Sequence, residues 1–215
     1  MHIDPAEVAR LILQDQAIPA SWLPHIIELR LERRYITDLT PLARLTSLQC
    51  LILTRSRIID IAPLAALTRM RRLHLSFTAV SDLTPLARMN ELEACFLTGT
   101  FVADIAPLTR LTRLERVDLG DTQITDVSPL SGLHNLRCLD LSNTAVRDIT
   151  PLAALTALEH LDLTNTKVID LKPLATLTGL RRVDLRGVQA DTAALALLPH
   201  CKVVTVATPP RRRQR

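Results

Sequence analysis

The stretch Asp126-Val127-Ser128-Pro129-Leu130-Ser131-Gly132-Leu133-His134-Asn135-Leu136-Arg137-Cys138-Leu139-Asp140-Leu141-Ser142-Asn143-Thr144-Ala145-Val146-Arg147 decides the fold, because Asp148 then opens the same pattern again. Asp-x-x-Pro-Leu begins at Asp38, Asp60, Asp82, Asp104, Asp126, Asp148 and Asp170, always 22 residues apart. A fixed period of this size is the mark of a stacked repeat. Seven of the 13 prolines fall in this register, so they punctuate a lattice and do not mark irregular loops.

Within each unit Leu136-x-x-Leu139-x-Leu141 recurs as Leu158, Leu161 and Leu163, as Leu48, Leu51 and Leu53, and as Leu114, Val117 and Leu119. The alternation predicts a short strand with Leu139 and Leu141 on a core face and Cys138, Asp140 and Ser142 on a wet one. A hydroxyl residue follows each strand, at Ser56, Thr78, Thr100, Thr122, Thr144 and Thr166. The Pro-Leu segment then reads as a short helix or 3₁₀ turn, with proline at its first position and Thr40, Thr84, Ser128 or Thr150 placed to cap it.

These columns resemble the bacterial leucine-rich repeats of 22 residues, of which the internalins are members, over about residues 26–206. The resemblance implies a right-handed curved stack with a parallel sheet on the concave side and short helical or 3₁₀ segments on the convex side, an α/β leucine-rich repeat solenoid. It also implies protein ligands, host proteins among them in some pathogens. The family places an Asn that bonds along the stack where this chain has Thr or Ser, so a hydroxyl ladder is expected there. One unit cannot bury its leucines alone, so the ends need covers. Residues 1–24, with Val8, Leu11 and Ile12 at helical spacing and Trp22, predict an N-terminal helical cap. Repeats fill 25–187. Residues 188–207 predict a capping repeat with Cys201-x-x-Val204-x-Val206 as its strand.

The chain has 215 residues, 47% hydrophobic and 22% charged, which excludes a disordered chain. Charges and prolines interrupt every apolar run, so a soluble protein without a membrane span is expected. The net charge of +4 is matched by Arg211, Arg212, Arg213 and Arg215 in the tail 208–215, which is expected to be disordered. The neutral body argues against nucleic acid as the partner. The N-terminus lacks the lysines and apolar block of a secretory signal. Cys95 and Cys201 fall in core columns; Cys50 and Cys138 fall on the wet face four units apart, roughly 19 Å and too far for a disulfide. Both observations place the chain in the cytoplasm, with export by a specialised secretion system as the alternative.

The register aspartates sit where the chain turns, where a carboxylate accepts backbone N–H bonds, and are assigned to structure. Cys138 and His160 share a column, with Asp140 and Asp162 beside them, which raises a hydrolase or metal site as an alternative. An open curved sheet supplies neither an oxyanion pocket nor exclusion of water, so no catalytic residue, metal or cofactor is assigned.

Departures from the chain's own column consensus point to binding. The central wet column is Arg30, Ile52, His74, Phe96, Asp118, Asp140, Asp162, Asp184 and Thr205. Its first half is apolar and cationic, flanked by Arg72, Arg55 and Phe77; its second half is acidic, with Arg116 and Arg182 near. All three phenylalanines, Phe77, Phe96 and Phe101, fall in consecutive units at positions expected to be exposed. Clustered aromatics beside arginine are the material of binding hot spots. A monomeric, non-enzymatic module is expected, binding a protein through Ile52, Arg72, His74, Phe77, Phe96, Phe101 and Arg116, with Asp118, Asp140, Asp162 and Asp184 as an electrostatic guide.

Overall fold

The computed structural model describes residues 3–205; the arginine tail and Val206 lie outside the described residues. Each unit contributes one three-residue strand. These are β1 (Glu28–Arg30), β2 (Cys50–Ile52), β3 (Arg72–His74), β4 (Ala94–Phe96), β5 (Arg116–Asp118), β6 (Cys138–Asp140), β7 (His160–Asp162), β8 (Arg182–Asp184) and β9 (Lys202–Val204). They form one parallel sheet in sequence order. From β1 to β8 every residue pairs with the one 22 positions on, as in Leu139 with Leu161 and Asp140 with Asp162. The solenoid is therefore regular because the period is.

The core is a set of columns running through the stack. Leu51, Leu73, Cys95 and Val117 are each fully buried in one column, and Leu53, Leu75, Leu97 and Leu119 in the next. Burial of each such side chain stabilises the fold by about 1.5–3 kcal/mol, and each is covered only because a neighbouring coil lies on it. At the N-terminal end the cover is α1 (Pro5–Leu13), which buries Val8, Ala9, Leu11 and Ile12 and packs on β1. Asp4 caps α1 by accepting a 2.9 Å bond from the Ala6 N–H.

On the return path the proline segments are 3₁₀ turns such as Thr40–Arg44 and Ser128–Leu130. The expected Thr and Ser caps are absent from them. Instead the register aspartate two residues earlier accepts the N–H, from Thr40 to Asp38, Thr84 to Asp82, Ser128 to Asp126 and Thr150 to Asp148, all at 2.8 Å. A carboxylate on a short stem reaches the amide two residues on, which is how such turns close.

The hydroxyl column also differs from expectation. Thr78, Thr100, Thr122, Thr144 and Thr166 are buried, but each hydroxyl donates to the carbonyl three residues back in its own coil, at 2.5–2.8 Å, and not along the stack. A hydroxyl is too short to reach the neighbouring coil while that carbonyl is in range. Ser56 Oγ, in the same column, is buried without a partner among the described residues.

The final coil departs most. Val183 pairs with Val203 and Asp184 with Val204, two residues short of the repeat step. Val204, and not Thr205, therefore ends the central column. Val203 is 37% exposed and Cys201 is only half-buried, because no further described coil covers them.

Candidate functional site

The residue just past each strand lies in the left-handed region: Arg33, Arg55, Phe77, Gly99, Asp121, Asn143, Asn165 and Gly187 all have φ between 55° and 76°. The stack imposes this. The N–H of that residue bonds to a carbonyl of the next coil, as from Arg33 to Thr54, Arg55 to Ser76 and Phe77 to Thr98 at 2.8–2.9 Å. Gly, Asn and Asp tolerate such a backbone, whereas a bulky side chain there is strained by about 1–2 kcal/mol. Five coils use the tolerant residues; the first three carry Arg33, Arg55 and Phe77.

These three side chains stand on the rim of a groove of about 1330 Å³ between α1 and the N-terminal part of the sheet. Leu13 and Ala9 line it from the helix and Ile52 from the sheet, with Arg30, Arg55 and Phe77 across from them. The Arg55 guanidinium lies 5.0 Å over the Phe77 ring. Next along the sheet His74 and Phe96 stack, centroids 4.1 Å apart and 9° from parallel, and Arg116 covers Phe96 at 5.3 Å. Burial, and then the charges of Arg72, Arg30 and Arg116, lower the His74 pKa and favour the neutral imidazole. A neutral ring stacked face to face on a phenyl ring makes a rigid, largely apolar platform that presents ring edges to the concave side.

The structure thus brings together Ile52, Arg72, His74, Phe77, Phe96 and Arg116. It leaves Phe101 apart: this ring is 57% exposed but lines neither this groove nor the hollow described next. Sequence reasoning missed Arg33, Arg34 and the α1 wall. The Gly and Asn residues of the left-handed column were the signal for the first; the approach of α1 to the rim leaves no signal in a periodicity.

The acidic half faces a shallower hollow of about 340 Å³ that includes Asp118, Asp140, Asp162 and Asp184. Asp184 does not serve as an exposed guide. It is 2% exposed, and accepts from Arg186 Nε at 2.8 Å, Thr164 Oγ1 at 3.0 Å and Arg182 at 3.4 Å. Burial raises its pKa, but the bonds from Arg186 and Thr164 together outweigh burial and hold the carboxyl below its ordinary value. Arg186 stands where the coils of β2 to β7 have Thr, Ser or Gly, and its length lets it fold back over Asp184. Asp140 and Asp162 are half-buried and accept the N–H two residues on, from Ser142 and Thr164, both at 2.8 Å. The positive groups over this row belong to the chain itself. Asp118 differs: its one bond is to Arg116 at 3.3 Å, and burial pushes its pKa up.

Cys138 and His160 are paired residues on adjacent strands. Burial raises the Cys138 pKa, which disfavours the thiolate a nucleophile needs. Among the described residues no group of three or more His, Cys, Asp and Glu side chains is placed to hold a metal ion. Cys50, expected on the wet face, is buried at 5% exposure between Glu28 and Arg72, the flanking residues of its column. Burial pushes the Cys95 thiol up to about 12.

Among the described residues nine parallel strands, the first eight in register at a 22-residue step, with 3₁₀ returns and one open face, define the class: a leucine-rich-repeat solenoid. A family model described as Leucine Rich repeats (2 copies) matches residues 112–154. Internalin C2 (inlC2) of Listeria monocytogenes superposes with a TM-score of 0.83 at 29% identity, over 94% of this chain and 92% of that one. The internalin inlF of the same organism gives 0.74 at 23% identity, over 93% of this chain and 67% of that one. A leucine-rich-repeat protein of Leptospira interrogans gives 0.70 at 18%, over 87% of this chain and 57% of that one. A search of the curated proteins found no significant match. The chain is thus similar in fold to the internalins and shares their leucine-rich-repeat architecture. Proteins of this type are interaction modules, and the fold is generally a non-enzymatic scaffold. Among the described residues no helix is long and apolar enough to cross a membrane.

Proposed function

We propose that this protein binds a partner protein on the N-terminal half of its concave face, with the His74–Phe96 platform and Phe77 as anchors and Arg72 and Arg116 beside them. The observation that carries this is the stack itself. His74 and Phe96 interrupt a column that later coils fill with aspartate, and their rings stack into one rigid patch. Rigid aromatic area beside arginine gives a partner much contact for little lost side-chain freedom. Asp118, half-buried at the border of the two halves, is the one acid of the row without a backbone N–H among its bonds, and it completes the patch on its acidic side.

The test compares wild-type protein with Phe96→Ala as bait, with chemical crosslinking to place any captured protein on the concave face. Crosslinks to β3 and β4 that vanish in the variant are expected. Phe96 is already partly open to water, so its loss should lower Tm by no more than a few degrees, at about 2–4 °C per kcal/mol for a chain of this size. Capture and crosslinks unchanged in Phe96→Ala count against the site.

A further inference from the structure

Resting on that reading, we infer that the groove between α1 and the rim takes an extended acidic segment of the partner bearing one large apolar side chain. Arg33 and Arg55 pair with its carboxylates, and the apolar side chain seats between Ile52, Phe77 and Leu13.

Three independent observations carry this. The first is the backbone. At the left-handed position the chain supplies Gly, Asn or Asp in five coils, yet places Arg33, Arg55 and Phe77 in three consecutive ones, where the conformation resists them. Backbone conformation selects against these side chains, so something outside the scaffold favours them.

The second is charge. Several arginines are paired within the scaffold, as Arg71 with Glu93, Arg113 with Glu91, Arg137 with Glu159 and Arg186 with Asp184, whereas the rim gathers unpaired ones in a single groove. Among the described residues Arg33, Arg34 and Arg55 have no carboxylate within 4.0 Å. Arg55 is also held by its contact with Phe77, which orients its guanidinium in advance for a two-pronged bond to a carboxylate.

The third is the mixture of floor and rim. Pro5, Ala6, Ala9 and Leu13 on the helix side and Ile52 on the sheet are apolar, Phe77 is 48% exposed at the groove, and the lining acids Asp4 and Glu32 are outnumbered by Arg10, Arg30, Arg33, Arg34 and Arg55. The Phe77 ring is not an open stacking surface for a nucleobase. Arg55 covers it, and it lies so close to Gly99 that a Cβ there would stand 2.6 Å from the ring. What it leaves is an edge against which an aliphatic or aromatic side chain fits.

Spacing sets the pattern. Neighbouring coils are about 4.8 Å apart, and same-side residues of an extended chain about 6.7 Å, a difference that flexible arginine stems absorb. Successive rim positions Arg33, Arg55 and Phe77 therefore match alternate ligand residues, as acid, any residue, acid, any residue, large apolar.

The test pans a phage-displayed library of random linear peptides on immobilised wild-type protein and on the double variant Arg33→Asn, Arg55→Asn. Asparagine is what Asn143 and Asn165 already supply at this position, so the variant removes charge without disturbing the coil. Its Tm should equal or exceed that of the wild type. Expected are enriched peptides with alternating acids ahead of a large apolar residue, whose affinity, measured by fluorescence anisotropy, falls at least about tenfold in the variant. Enrichment of neutral or basic peptides, or acidic peptides that bind the variant equally well, overturns this inference and leaves the Phe96 platform standing. No enrichment overturns it too, and the crosslinking result for Phe96→Ala then judges the platform separately. A single-stranded thymine oligonucleotide that displaces the peptides and binds as tightly as they do would make the groove a nucleic-acid site and likewise overturn it.

Discussion

Substituting Gly99 by Ala measures whether the Phe77 ring is packed as described, and the two parts of its effect separate. Gly99 has φ 69°, and a Cβ built there stands 2.6 Å from Phe77 Cδ1 and 2.9 Å from Cε1. The left-handed backbone alone costs a non-glycine residue about 1–2 kcal/mol, offset by up to about 1 kcal/mol from the smaller freedom of Ala in the unfolded chain. The clash adds to this by turning the ring out. Phe77 is already half-exposed, so the lost apolar contact is about 1 kcal/mol, and the lost cation–π contact with Arg55 is about 0.5–1 kcal/mol. Gly99→Ala should therefore cost about 2–3 kcal/mol in the wild type but only about 1 kcal/mol in a Phe77→Gly background, a coupling of about 1–2 kcal/mol. Urea unfolding followed by far-UV circular dichroism, and by the fluorescence of the single Trp22 in the N-terminal cap, gives both values and checks that the two ends unfold together. Equal costs in the two backgrounds would show that the ring does not lie on Gly99, and the geometry of the rim would fall with it.

Two further outcomes test the scaffold. Ser56→Thr should raise stability by about 1 kcal/mol, since Thr at five equivalent positions donates to the carbonyl three residues back while Ser56 Oγ is buried without a partner; a lower urea midpoint would refute the assignment. Asp38, Asp82 and Asp148 are held below the ordinary value of 3.8 by hydrogen bonds from Thr40, Thr84 and Thr150, and Asp126 by the backbone and side chain of Ser128. A folded-state pKa below the unfolded one gives stability that is complete above the unfolded value and lost as pH falls through the folded values. The contribution of these four aspartates to the urea midpoint should thus be flat from about pH 7 to 5 and fall below about pH 4, while His74, whose pKa lies below its ordinary value of 6.5, adds an earlier decline below that pH. Asn at these four positions keeps the acceptor but does not titrate, so the quadruple variant should show a shallower fall; an identical acid branch would assign it elsewhere.

The fold was legible because a 22-residue period fixes topology, pairing and core together. Once Leu139 pairs with Leu161, every other column is set. What the period does not encode is the direction of a short side chain's bond and the behaviour of an end. The hydroxyls were placed in the right column, but their bonds run back along the chain. The last coil loses two residues, which moved Val204 into the place expected for Thr205. The aromatic patch was legible as a departure from consensus. The burial of Asp184 was not, although Arg186 two residues on held the clue, because a side chain's reach back over its neighbour depends on the curve of the chain after the strand. The groove against α1 joins residues far apart in sequence outside the repeat, and no periodic reading reaches it.

The two halves of the concave face carry different kinds of information for a physical reason. An aspartate at the end of a strand is what the backbone asks for: Asp140, Asp162 and Asp184 each accept the N–H two residues on, at 2.8, 2.8 and 3.3 Å. A row of them therefore needs no partner to explain it, even though it looks like a charged track. Arg33, Arg55 and Phe77 stand where the backbone resists any side chain beyond Gly, Asn or Asp, and together they carry about 3–6 kcal/mol of strain if each costs 1–2. That is a large part of the 5–15 kcal/mol by which a domain is stable. Mutational drift would replace them with the tolerant residues the same chain uses five coils running, unless the side chains themselves did something the fold does not need.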